Sequence, residues 1–213
     1  LIRKHFGGIP AAPRPIPEVY TVEPPQSGPR RVTVQRPGQI GIVMVGYKAV
    51  NALHPDMPAL DVLGSILGDG KTGRLYRELV DKGLALRAFA GVFRMRDPGL
   101  FTVSADLSPG VLHEKAEQAL IAQIERIRTE GVTQAEIDDA VRRRRAELAF
   151  RRDGTTATAA ELNEWVSAGD WTGYVTYIDR MAAVTPADVK RVAQTYLTES
   201  QSTTGWFVPV TSK

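Results

Sequence analysis

The chain has no cysteine, which excludes disulfides and thiolate–zinc sites. Its three histidines, His5, His54 and His113, are far apart, and no second imidazole lies within a helical turn or two of any of them. They read as isolated surface residues and not as a metal grip. No apolar run approaches the roughly 20 residues that a membrane-spanning helix needs. Neither sign of charge dominates: 27 Lys and Arg face 24 Asp and Glu, for a net charge of +3. The pI near 9.3 reflects that small excess and not a basic field of the size nucleic acid requires. There is no initiator Met, no signal peptide, no internal repeat and no low-complexity segment. The chain therefore reads as a piece of a longer protein, and a missing localisation signal carries no information.

What is present is globular. Hydrophobic residues make up 43% of the 213 and charged ones 24%, enough to bury one sizeable core. Residues 1–29 hold Pro10, Pro13, Pro15, Pro17, Pro24, Pro25 and Pro29, a density that forbids a regular helix and favours extended, polyproline-like geometry. They read as a linker or arm from a preceding domain, leaving residues 30–213 as a single domain. The expected class is α+β: a mainly antiparallel sheet with helices packed largely on one face, preceded by the Pro-rich arm.

The most informative stretch runs from Leu63 to Leu107. Leu75, Tyr76, Leu79 and Val80 recur at three- and four-residue spacing, which predicts a short helix over 72–82. Gly83 stops it, where the chain needs positive φ. From Leu84 the period changes to two. Leu84, Leu86, Ala88, Ala90 and Val92 are expected on one face, with Arg87, Phe89 and Phe93 on the other. After the turn residues Arg96-Asp97-Pro98-Gly99, Phe101, Val103, Ala105 and Leu107 alternate with Thr102, Ser104 and Asp106. That is a hairpin fed by a helix.

Elsewhere, Val32 and Val34 suggest a short strand. In the segment Gln39–Lys48, Ile40, Ile42 and Met44 alternate with Val43, Val45 and Tyr47, which predicts a central strand covered on both faces. Asp56 is the expected N-cap of a helix carrying Leu60, Leu63, Ile66 and Leu67. Leu112, Ala116, Leu120, Ile124 and Ile127 form a helical stripe. Thr133 and Glu136 form a capping box before a helix that buries Ile137, Val141 and Leu148. Asp170 is expected to cap a helix bearing Tyr174, Tyr177, Ile178 and Met181. Thr185-Pro186 opens another, with Val189, Val192, Ala193 and Tyr196, and Thr203–Val210 is a closing strand.

Two motifs invite other functions. Gly70-Lys71-Thr72 resembles the end of a phosphate-binding loop, but Ser65 stands where that loop needs Gly and a helix precedes it. The glycines are better read as an elbow, with Thr72 capping the next helix. The run Arg142–Arg145 invites nucleic-acid binding. Glu136, Asp138, Asp139 and Glu147 share its helix without interleaved aromatics, so a solvated or interface-facing helix with internal ion pairs is the better reading. Trp165, Trp171 and Trp206 are expected to fill gaps between helices and sheet.

Several landmarks also resemble one known family. They are His5-Phe6-Gly7-Gly8-Ile9-Pro10, Gly68 to Tyr76 with Leu79, Gly83-Leu84-Ala85, Glu130-Gly131-Val132-Thr133, Val184 to Val189, and Gly205-Trp206-Phe207-Val208-Pro209. In this order they resemble the second domain of a half-clamshell in the pitrilysin/insulinase zinc metallopeptidases. The resemblance implies a domain that does not bind zinc and that helps to wall a chamber admitting unfolded peptides. Zinc, held by His-x-x-Glu-His, would lie in the preceding domain or in a partner subunit. Members often place an Arg and a Tyr in the segment matching Leu79 to Leu86, where they stabilise the tetrahedral intermediate. Here Val80 and Leu86 stand at the best-matching positions, and neither donates a hydrogen bond. Arg77 and Arg87 are misplaced for that role. No catalytic, cofactor-binding or metal-ligating residue is therefore assigned, and the chain alone is expected to be inactive. The implied partners are a zinc-bearing domain and unfolded peptide, with no nucleic acid and no membrane span. The resemblance favours a bacterial envelope compartment, which the residues themselves do not address. The competing reading is a catalytically inactive structural subunit of the same family.

Overall fold

Alternating apolar residues build a single five-stranded sheet. Its strands are β1 (Arg30–Pro37), β2 (Ile42–Lys48), β3 (Ala85–Val92), β4 (Leu100–Leu107) and β5 (Ser202–Val210). The spatial order is β1-β5-β2-β4-β3, with β1 parallel to β5 and all other neighbours antiparallel. This computed structural model describes residues 1–15 and 23–210, so Pro17 and the middle of the expected arm lie outside the described residues. The helices are α1 (Ile2–Phe6), α2 (Met57–Gly68), α3 (His113–Glu130), α4 (Gln134–Arg151), α5 (Thr155–Ala168), α6 (Gly173–Ala182) and α7 (Pro186–Tyr196). The fold is α+β, as expected. The short helix α1 departs from the extended geometry expected of the first 29 residues, because the prolines begin only at Pro10.

The core lies between one sheet face and the helices. Val43, Val45 and Tyr47 of β2, with Phe101, Val103, Ala105 and Leu107 of β4, are buried against Leu60, Leu63 and Leu67 of α2 and Leu120, Ile124 and Ile127 of α3. Each of the Val, Leu, Ile and Phe side chains among them contributes about 1.5–3 kcal/mol by leaving water. Helix α2 crosses β3 at backbone distance, since a Cβ on Gly68 would stand 2.5 Å from the Ala90 nitrogen. Both capping boxes form, Thr133 with Glu136 before α4 and Thr185 with Asp188 before α7.

The elbow follows its chemistry. After a 3-10 turn at Gly70–Thr72, the chain makes a π-helical turn over Tyr76–Val80. Gly83 stops it at φ +70°, and the Leu84 amide donates to the Leu79 carbonyl at 2.7 Å. Thr72 does not cap this helix. Its hydroxyl faces the Asp69 carbonyl at 3.4 Å and the Arg143 guanidinium at 3.2 Å.

Further expectations are corrected. β2 is central but covered on one face only, and Met44 on the other is 47% exposed. A β-bulge between Ala85 and Arg87 shifts the alternation, so Ala85 is buried and Leu86 is 49% exposed. Asp56 holds the N-cap position of α2 as expected, but its side chain makes no cap bond: the carboxylate accepts from Arg191 at 2.6 and 3.1 Å and from Tyr196 at 2.7 Å. Trp171 is exposed rather than packed, and so is Leu112, which precedes α3 and does not join its stripe. His113 is half-buried, with its ring 5.5 Å from that of Trp206 and Nε2 2.8 Å from the Phe207 carbonyl. Asp170 acts before α6 as expected in kind: its carboxylate accepts from the Thr172 amide at 2.9 Å, although Thr172 occupies the N-cap position.

Candidate functional site

Among the described residues no helix covers the second face of the sheet, whose side chains the core leaves unexplained. Strand register sets its residues in rows. Val32, Gly205, Met44, Ser104 and Phe89 share one row, and Val34, Phe207, Ile42, Asp106 and Arg87 share the next. Val32, Val34, Met44 and Phe89 are all exposed. Apolar side chains exposed in adjacent rows form a patch that the core of this chain does not use. One polar contact crosses the face, where Arg87 donates to Asp106 at 2.9 Å.

The residues beside this face that could donate to a reacting oxygen are committed elsewhere or missing. Val80 is half-buried in the π-helical turn and Leu86 is the bulge residue. Arg77 donates to the Thr72 carbonyl at 2.7 Å. The donor set does not fit a zinc ion either. Among the described residues no three His, Asp, Glu or Cys side chains converge, and the three histidines sit on α1, ahead of α2, and at the start of α3.

The arginine run is paired along and between helices. Arg142 lies 2.9 Å from Asp139 and Arg144 2.8 Å from Glu147, while Arg143 reaches Thr72. Gly70–Thr72 follows helix α2 directly, so the strand that precedes a phosphate-binding loop is not there.

Two polar clusters were not anticipated. In the first, Glu117 of α3 is buried and accepts both arms of Arg31 at 2.5 and 2.8 Å and the Trp206 indole at 2.7 Å. It fastens the edge strand β1 to the helix layer. In the second, the Tyr177 hydroxyl donates to Asp61 of α2, beneath Arg94 and Trp165. Burial pushes the Asp61 carboxyl above its usual range against the opposing pull of Arg94 and Tyr177. The available signal was a lone carboxylate inside the apolar run Ala59-Leu60-Asp61-Val62-Leu63.

Residues 1–144 match the family described as the peptidase M16 inactive domain. The chain belongs to that family. It is 31% identical over 212 residues to a zinc protease of Helicobacter pylori, covering 98% of this chain and 48% of that protein. It thus spans about half the length of that curated relative. The crystal structure of a Helicobacter pylori protease superposes with a TM-score of 0.90 at 30% identity, covering 97% of this chain and 51% of that one. The inactive peptidase domain of a Bordetella parapertussis protein superposes with a TM-score of 0.75 at 30% identity, covering 84% and 96%. Of the landmark residues noted above, Gly68 to Ala85 span the elbow, Thr133 and Thr185 open the two capping boxes, Gly205–Pro209 lie in β5, and His5 and Phe6 end α1. Among the described residues no helix is long and apolar enough to cross a membrane.

Proposed function

We propose that this chain is the domain of a zinc-dependent metalloendopeptidase that does not bind zinc, and that its open sheet face lines part of a chamber for unfolded peptides. The observation that carries the reading is the one-sided sheet, whose second face presents Val32, Val34, Met44 and Phe89 to solvent. An unfolded peptide offers scattered apolar side chains and little shape. A broad apolar wall with few fixed polar groups suits such a ligand better than a narrow pocket does. Zinc and the general base belong to a preceding domain or to a partner subunit, and this chain supplies surface and no reacting group.

The test is charge placed on the wall. In the longer protein that carries this chain, Met44→Glu is expected to raise KM for an unfolded peptide several-fold while melting temperature and kcat change little. Met44 is half-exposed, so the substitution leaves the core alone. An unchanged KM contradicts the wall role.

A second reading rests on Val80 and Leu86, which supply no donor at the positions where the resemblance implies an Arg and a Tyr. It makes the whole protein a non-catalytic structural partner. A His-x-x-Glu-His segment in the remainder of the protein separates the two: its presence supports the peptidase, its absence the structural partner.

A further inference from the structure

Under the β3–β4 hairpin lies a cavity of about 240 Å³ that the chamber reading does not use. Phe93, Arg94, Glu164, Trp165 and Ser167 are among its lining residues. Arg94 is held rigidly, its guanidinium 5.2 Å from the Trp165 ring centroid and 5.0 Å from that of Tyr177. Those two rings pack against each other at 4.8 Å. A guanidinium stacked on two aromatic faces keeps its plane and its fork of donors fixed.

The donors of that fork are not used by the nearest acid. Asp61 Oδ2 lies 3.8 Å from the Arg94 guanidinium, too far for a hydrogen bond, and Asp61 accepts the Tyr177 hydroxyl instead. Glu164 is directed towards Arg151, 3.5 Å away. The Arg94 side chain is only 21% exposed, and it lines the cavity. A largely buried cation with unused planar donors is matched by a planar anion that accepts two bonds at once.

We propose that this cavity is a carboxylate-binding site, taking the C-terminal carboxylate or an acidic side chain of a peptide. Its volume falls below the roughly 300–1,000 Å³ of pockets for whole small-molecule ligands, so it accommodates one residue's worth of ligand. Its wall suits the apolar remainder of such a residue, because Phe93 and Trp165 flank the cation. Val92, at the end of the edge strand β3, is among its lining residues. The inference does not depend on the chamber reading.

The test uses three small peptides: N-acetyl-Ala-Leu with a free C-terminus, the same peptide as its C-terminal amide, and N-acetyl-Ala-Glu-amide. The readout is the indole N–H resonance of Trp165, assigned with Trp165→Phe. The free acid, the Glu peptide or both are expected to shift it saturably, and the neutral amide to bind about ten- to a hundredfold more weakly. Which acid binds tells the C-terminal from the side-chain source. Arg94→Gln should lose the discrimination between acid and amide. Because Arg94 also packs on two rings, Ser167→Asp is the second variant: it adds a competing carboxylate at the exposed rim and leaves the stack in place. It too should weaken binding at least about tenfold. Equal binding of acid and amide, no saturable shift up to the solubility limit, or wild-type binding by Ser167→Asp would overturn the proposal.

Discussion

Arg74 and Glu136 meet as two forks. Arg74, in the elbow, donates to Glu136 Oε1 at 2.8 Å and to Oε2 at 2.9 Å across 62 positions of sequence. The same Glu136 carboxylate accepts the Thr133 amide at 2.8 Å, so one side chain closes a helix N-terminus and ties it to the elbow. Burial works against its charge, yet the Arg74 and Thr133 hydrogen bonds outweigh it and hold the pKa at about 2, against an ordinary 4.5.

A depressed carboxyl pKa stabilises the fold above the ordinary value, and that stability is lost as pH falls through the folded one. Wild-type stability should therefore decline between pH 4.5 and about 2 in part through this group. Glu136→Gln should cost about 2 kcal/mol at neutral pH and flatten that part of the profile. Urea melts of both proteins at pH 7 and pH 3 measure it. A difference that does not shrink towards pH 3 contradicts this role.

Two glycines of the elbow region should fail for different reasons. A Cβ at Gly83 meets nothing within 4 Å, but the residue stands at φ +70°. Gly83→Val should thus cost roughly 1–2 kcal/mol through backbone strain, and Gly83→Asn distinctly less. Gly68 has helical geometry, but its Cβ would stand 2.5 Å from the Ala90 nitrogen. Gly68→Ala should force α2 away from β3 at a cost of about 1–3 kcal/mol or more. Thermal melts of the three variants check this. Wild-type stability in Gly68→Ala would show that α2 does not cross β3 at backbone distance.

The bulge makes Leu86 a surface residue. Leu86→Ala is expected to cost under about 1 kcal/mol, whereas Leu79→Ala should cost about 2–5 kcal/mol because Leu79 is fully buried. Melting the two side by side checks the register of β3. Equal losses would place Leu86 back in the core.

Strand β4 was legible because Phe101, Val103, Ala105 and Leu107 alternate without interruption and all four are buried. The Thr133–Glu136 capping box and the Gly83 stop were legible because each rests on local chemistry within four residues. Leu86 was misread because a bulge leaves no trace in an alternating pattern. The open face of β2 was misread for a deeper reason. Met44 and Ile42 are as apolar as Val43 and Val45, and sequence does not distinguish a face covered by this chain from one kept for another. Helix α5 escaped notice because Thr155–Ala168 carries small and polar residues, with only Glu161, Trp165 and Ala168 buried. The Arg94 cluster joins α2, α5, α6 and the segment after β3, and nothing in the spacing of four distant residues announces it.

The central claim is that unfolded peptide passes over the open sheet face. A photo-crosslinking residue placed at Met44 in the longer protein tests it most directly, with the same residue at Arg142 on the outer surface of α4 as control. Crosslinks from position 44 to an unfolded peptide, competed away by excess unlabelled peptide and absent at position 142, are the predicted result. Equal labelling at both positions, or none at position 44 in a folded protein that still binds the peptide, would contradict the account.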